Sequence, residues 1–362
     1  MAIENEIPDE QIEDLTVTDR ETPVGSANDI NVVVEGEEPL VEEQVEDEFN
    51  KNIAEEMDER DLQDLANQLI SDFKNDKLTR EDWEQSYTKG LDLLGFKYTL
   101  QTRPFQGASG VTHPLLAEAV TQFQAQAYKE LLPSEGPVRT QIIGVQNQER
   151  EDQAARVSDF MNYMLMERMD EYTPEFDQLL FYLPLAGSAF KKIYYDEMMG
   201  RAVSKFVPAE DLVVPYYATD LKECERITHM IKMSENDIRK KQEAGFYRDI
   251  ELQETNPNES DIKKKYNELE GTSSPGNNID YQFNILEMHV DLDLEEFEKT
   301  SNDKSKNIKI PYIVTIDEGS QKVLSIYRNY DEKDPLKIRK DYFVHFKFLP
   351  GLGFYGFGLI HM

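Results

Sequence analysis

The side chains best suited to proton or metal chemistry near neutral pH are five histidines, His113, His229, His289, His345 and His361. They are scattered along the chain. The most regular setting is His289-Val-Asp291-Leu-Asp293, where strand alternation would put all three polar residues on one face, as ligands for a hard cation would need. The same alternation puts Met288, Val290, Leu292 and Leu294 on the opposite face. A half-buried strand with a solvated polar face therefore explains the pattern without a metal. His113 sits behind a Gly/Ser loop and before a helix, the setting of some anion sites, but its only basic neighbour is Arg103. A structural turn is expected there. Gly351-Leu-Gly353-Phe-Tyr-Gly356 has the spacing of a dinucleotide fingerprint. That fingerprint also needs a following helix and an acidic residue about twenty positions on, and the sequence ends at Met362.

The single cysteine, Cys224, lies between Glu223 and Glu225, which disfavour a thiolate. One cysteine cannot form an intrachain disulfide, so a reducing compartment is expected. The sequence has no phosphate-binding G-x-x-x-x-G-K-[ST], no G-x-S-x-G, no H-E-x-x-H and no paired-cysteine zinc spacing. Basic clusters at Arg239-Lys-Lys241, Lys263-Lys-Lys265 and Lys337-Ile-Arg-Lys340 are short and set among acids. No catalytic residue, cofactor or metal is expected. Charge points the same way. The chain has 72 acidic and 39 basic residues, net −33, and residues 1–50 alone hold 17 acids against Arg20. This excess opposes binding to DNA by phosphate neutralisation or to anionic lipid. It favours solubility and self-repulsion. The N-terminus lacks a basic, apolar leader, and no apolar run reaches membrane-spanning length, so a soluble intracellular product is expected.

Stepping along the chain, residues 1–50 are acidic, contain Pro8, Pro23 and Pro39, and are expected to form a disordered tail. Residues 51–187 show helical spacing. Leu62, Leu65, Leu69, Ile70 and Phe73 define a first apolar face. A second helix carries Trp83, Tyr87, Leu91 and Leu94, with Thr79 and Asp82 as its capping pair. The loop from Arg103 to Pro114 opens a third, with Leu116, Ala119, Val120, Phe123, Ala127 and Leu131 on its stripe. A short strand is expected at Val138 to Ile143. A fourth helix bears Val157, Phe160, Met161, Met164 and Leu165, and a fifth runs from Thr173 to Gly187 with a bend at Pro184.

Residues 188–362 read as strands. The spacing predicts a hairpin of Ala189–Tyr195 with Ala202–Val207 around Met199-Gly200. Further strands are expected at Leu212–Val214, Ile227–Met233, Phe283–Leu294, Tyr312–Ile316, Val323–Tyr327 and Phe343–Leu349. A short helix starts at Ser234, with Asp237 completing a capping box. The stretch near 254–280 is polar and is expected to be a flexible insertion. The fold class is therefore α+β: a helical region followed by a mostly antiparallel, β-rich one.

Several stretches, taken in order, resemble the portal (head-to-tail connector) proteins of tailed bacteriophages, of the podovirus type. They are Arg103-Pro-Phe-Gln-Gly107-Ala-Ser-Gly110-Val-Thr-His113-Pro114 and the helix after it, Leu185-Ala-Gly187-Ser-Ala-Phe-Lys-Lys-Ile-Tyr194, Phe206-Val-Pro-Ala-Glu-Asp-Leu-Val-Val-Pro215, Arg226-Ile-Thr-His-Met-Ile-Lys-Met233, and Val344 to His361. The positions that carry it are Arg103, Pro104, Phe105, Gly107, Gly110, His113, Pro114, Gly187, Gly353, Tyr355, Gly356 and Gly358. The resemblance implies a wing-like α+β fold and a homo-oligomeric ring, usually of twelve subunits, at one capsid vertex of a virion assembled in the host cytoplasm. Such a ring conducts double-stranded DNA without sequence-specific binding and has no catalytic activity. Its partners would be the terminase large subunit, head-completion or tail adaptor proteins, and the major capsid or scaffolding protein. Portal chains of this type continue into further helices, so this sequence is expected to be an N-terminal fragment. Two other readings remain open at this point: another capsid-associated adaptor, and a metal-dependent nucleic-acid enzyme built on His289, Asp291 and Asp293.

Overall fold

The computed structural model describes residues 49–94, 113–196, 199–253, 260–272, 282–294, 309–351 and 353–362, with Phe105 and Gly107. The expected acidic tail falls outside these residues apart from Phe49 and Asn50, as do Arg103, Pro104 and Gly110. Seven helices are described: α1 Glu59–Thr79, α2 Glu81–Leu91, α3 Leu115–Leu131, α4 Gln148–Tyr163, α5 Tyr172–Ala186, α6 Glu235–Glu243 and α7 Asp261–Glu270. The strands are β1 Ser188–Asp196, β2 Arg201–Pro208, β3 Leu212–Val213, β4 Arg226–Ser234, β5 Gln282–Leu292, β6 Ile310–Asp317, β7 Lys322–Arg328 and β8 Phe343–Lys347. They form two wholly antiparallel sheets, β2-β1-β8 and β3-β4-β5-β6-β7. The chain is an α+β protein. Among the described residues no helix is long and apolar enough to cross a membrane.

The five-stranded sheet is a meander whose one face is apolar. Met288, Val290, Tyr312, Val314 and Ile316 bury that face against Leu62, Ala66, Leu69, Ile70 and Phe73 of α1. The helical period of α1 and the two-residue period of β5 and β6 thus meet in one core. Before α1, the buried Asn52 anchors the chain to the sheet edge. Its side-chain oxygen accepts from the Ile326 and Ala54 amides and its amide donates to the Leu324 carbonyl. A second core joins α2, α3, α5 and α7 to the three-stranded sheet. The outer edge of that sheet is capped by side chains. The Glu171 and Glu175 carboxylates accept from the Ser204 and Phe206 amides, so these ladder donors of β2 are satisfied without another strand.

Several local expectations change. Thr79 ends α1, its hydroxyl donating to the Asp76 carbonyl, so it cannot cap α2; Arg80 occupies the N-cap position. No strand forms at Val138–Ile143. The segment instead lies along α4, its Val138 amide donating to Asn162 Oδ1 and its Thr140 hydroxyl to the Ala154 carbonyl. On α3 the buried residues are Ala117 and Val120, whereas Ala119 and Leu131 are exposed. The stretch expected to be a flexible insertion contains α7. Ser260 caps it by accepting from the Lys263 amide, and Ile262, Tyr266 and Leu269 face the core. Ser234 caps α6 as expected, its hydroxyl accepting from the Asp237 amide, but the reciprocal half of a capping box is replaced by a bond from that hydroxyl to the Asp237 carboxylate.

Candidate functional site

Gly187 ends α5 in the left-handed region (φ 85°), donating its amide to the Leu183 carbonyl, and so turns the chain directly into β1. The space beside its Cα is filled by the backbone of Gly356, Phe357 and Gly358, and the backbone of Leu185 and Gly187 in turn fills the space beside Gly356 and Gly358. Three backbones meet where any Cβ would collide. The seam is held by polar contacts. The Gly356 amide donates to Ser188 Oγ (2.7 Å), the Phe348 amide to the Gly187 carbonyl (3.0 Å), and Leu349 and Phe357 exchange backbone bonds. His345 Nε2 lies 3.1 Å from the same Ser188 hydroxyl, and its ring clusters with those of Phe190 and Phe354, each of the three against the other two. Burial pushes the His345 imidazole down to about 3, so it is neutral near pH 7.

Tyr355 extends this seam to the helices. It stacks on Trp83 (4.7 Å between ring centres), and its hydroxyl donates to the Leu212 carbonyl while accepting from Arg80. Arg80 is buried at 5% exposure, yet all three guanidinium nitrogens donate hydrogen bonds. It bonds Glu84 at 2.8 Å, Tyr355 at 3.1 Å, and the carbonyls of Ala209, Glu210 and Leu212 at 3.2, 2.5 and 2.8 Å. A single side chain thereby ties the α1–α2 junction, the Ala209–Asp211 turn and the glycine/aromatic segment together.

That turn presents Glu210 and Asp211 to a cavity of ≈1530 Å³ between α1, α2, α5, β4 and α7. Glu210 accepts from the Tyr182 hydroxyl. Tyr182 and Tyr266 hydroxyls lie 3.0 Å apart, and Tyr266 and Tyr87 hydroxyls 2.8 Å apart. The result is a line of three phenols ending on a carboxylate. Burial, reinforced by the neighbouring Asp211, raises Glu210 to about 7; burial raises Asp211 to about 6, against the pull of Arg80, Lys232, Lys263 and Lys77.

A second polar cluster lies between the sheets. Glu287 receives Lys192 Nζ at 2.5 and 2.6 Å and faces His289 Nε2 at 2.9 Å. Burial alone would raise this carboxyl, but Lys192, the His289 hydrogen bond and nearby charge hold it well below the usual carboxylate range. Burial lowers both His289 and His229, the latter to about 3. His289 is therefore not on a solvated face: it is 2% exposed and ringed by Tyr342 and Phe343, because β8 packs over that side of β5. Asp291 is half-buried and Asp293 is exposed. Among the described residues no three His, Cys, Asp or Glu side chains converge as metal ligands.

The twelve motif positions thus divide. Gly187, Tyr355, Gly356 and Gly358 form the seam. Gly353 lies beside it with open space at its Cα. Phe105, His113 and Pro114 are exposed, Gly107 is open, and Arg103, Pro104 and Gly110 lie outside the described residues. Glu210, Asp211, Tyr182 and Tyr266 were not singled out from sequence, and Tyr87 was named only as part of an apolar helix face. Among 72 acidic residues an adjacent pair stands out only when burial is known. No protein-family model matches this chain, and no curated protein matches it.

Proposed function

We propose that this chain is a structural subunit of a portal ring of a tailed bacteriophage, acting by assembly and not by catalysis. In that role it would surround the DNA channel at one capsid vertex and dock the packaging terminase, the tail adaptors and the capsid or scaffolding protein. The observation that supports the reading best is the glycine seam. Three stretches that carry the resemblance, Leu185–Tyr194, Phe206–Pro215 and Val344–His361, are far apart in sequence and contact one another through it and through Arg80. A shared architecture explains why those stretches occur together and in that order.

The acidic balance suits a conduit past which DNA slides, since 72 acids against 39 bases oppose adhesion to phosphate. Of the two polar clusters, one is a closed ion pair between sheets and the other pairs its carboxylate with phenols. Electron microscopy of the purified protein, both as this chain and as the whole product of its reading frame, tests the proposal. Rings around a central channel are expected. Monomers alone, from the whole product at high concentration, would refute it.

A further inference from the structure

A strand at a sheet edge presents a row of backbone donors and acceptors that folded chains usually cover. Of the four edges of the two described sheets, three are covered. β2 gives its Ser204 and Phe206 amides to Glu171 and Glu175. β7 gives its Ile326 amide to Asn52, and its Leu324 carbonyl accepts from Asn52 and from the Arg248 amide. β3 is two residues long, and its Leu212 carbonyl is taken by Arg80 and Tyr355. β8 is the exception. The Phe348 amide donates to the Gly187 carbonyl and the Tyr342 carbonyl accepts from the Ile193 amide, so Val344 and Phe346 turn their backbone groups to β1 in the same phase. The backbone groups of Phe343, His345 and Lys347 therefore point outward. Among the described residues nothing bonds them, and no described helix or strand besides β1 packs along β8. Only another extended backbone supplies donors and acceptors at the spacing of such an edge.

The covered edges select which strand that is. The one open edge that a second copy offers among its described strands is β8 itself. An antiparallel edge is self-complementary when a two-fold axis passes through an outward residue, and His345 is the middle one of the three. Phe343 then lies opposite Lys347 of the second copy and His345 opposite its counterpart, each pair exchanging both of its backbone bonds. On the other face Val344, 43% exposed, meets Phe346 of the second copy, an aliphatic–aromatic pair of the kind that stabilises sheets. No like charges are brought together. The His345 ring is neutral near pH 7. The two Lys347 side chains fall about 14 Å apart along the strands, beyond the screening length, and Asp341 lies diagonal to Lys347 of the second copy. The net charge of −33 opposes the approach of two copies from a distance, so salt should strengthen this contact.

We propose that two copies of this chain join at the outer edge of β8, each β8 pairing antiparallel with the other about a two-fold axis through His345, so that the two three-stranded sheets become one. This goes beyond the portal reading, because an isologous pair is a different contact from the head-to-tail one that repeats round a ring. The test is sedimentation velocity of the full chain over a concentration series at low and high salt, with hydrogen exchange followed at the His345 amide. The parent should form dimers, more tightly in high salt, and the His345 amide should gain protection as they form. K347P removes an outward N–H and no bond of the β1 ladder, a change that edge strands tolerate. Its circular dichroism and melting temperature should match the parent, while association weakens about tenfold or more. V344K should weaken association too, although it lowers the net negative charge, because it replaces the aliphatic side of the Val344–Phe346 pair. If K347P melts lower than the parent, V344K, with its side chain outside both ladders, decides the matter. A parent that stays monomeric throughout, or dimers that these variants leave unchanged, overturns the proposal. Protection of His345 already complete in the monomer also overturns it, since the chain then covers its own edge. So does association that leaves His345 unprotected, which places the contact elsewhere.

Discussion

Glu210 and Glu287 are both removed from bulk water, yet burial drives one towards the neutral acid and leaves the other firmly ionised. The difference is the partner. Glu287 lies in a sheet-to-sheet interface where Lys192 reaches it with two short bonds. Glu210 is met by neutral donors, the hydroxyls of Tyr182 and Tyr266, while Asp211 adds a like charge beside it. Desolvation sets the cost of a buried charge, and the nearest opposite charge decides whether the group bears it or binds a proton.

The sharpest way to break this contrast is to remove the ammonium. K192M leaves Glu287 buried without its counter-ion and should cost about 3–5 kcal/mol, read as a lower denaturant midpoint at pH 7. E287Q strands the Lys192 ammonium in turn, but the amide oxygen that replaces the carboxylate still accepts a bond from it, so a smaller loss of about 1.5–3 kcal/mol is expected. The loss should shrink in acid. A carboxyl whose folded pKa lies below its unfolded value of 4.5 contributes fully above that value, and the contribution fades as pH falls through the folded pKa. His229, neutral in the fold and lowered to about 3, acts in the same direction, with stability lost as pH drops below 6.5.

Glu210 has the opposite sign. Its folded pKa is raised to about 7, so its contribution is complete below 4.5 and is lost as pH climbs through 7. E210Q should therefore melt like the parent near pH 4.5 and above it at pH 8, the gap in melting temperature opening between those limits. A gap that is constant with pH would show that the carboxyl titrates normally and would erase the contrast. The smallest effect belongs to the phenols. Y266F removes one hydroxyl shared by Tyr87 and Tyr182 and should cost about 1 kcal/mol, with little pH dependence below 8.

Much of the fold was legible in the sequence because short-range periodicity sets it. The β1–β2 hairpin around Met199-Gly200, the strands β4 to β8 and the helix behind Ser234 all follow from alternation, turn residues and caps, which act within a few positions. The misreadings share one cause. Val138–Ile143 has strand-like composition, but its hydrogen-bond partners are side chains of α4, and which partners a segment finds is a tertiary matter. Helix α7 was hidden because Ile262, Tyr266 and Leu269 are few among polar residues, and their role depends on the core they meet.

The candidate sites divide along the same line. Sequence alone marked Gly187, Gly356 and Gly358 as unusual and placed Tyr355 among them. It also determined the acidic balance. Only the tertiary structure decided that these glycines face one another, because backbone contact across 170 residues leaves no periodic trace. Likewise, only packing turned Glu210 and Glu287, two of 72 acids, into groups of opposite character. A side chain's charge state is set by the atoms within a few ångströms of it, and those neighbours are assembled by the fold.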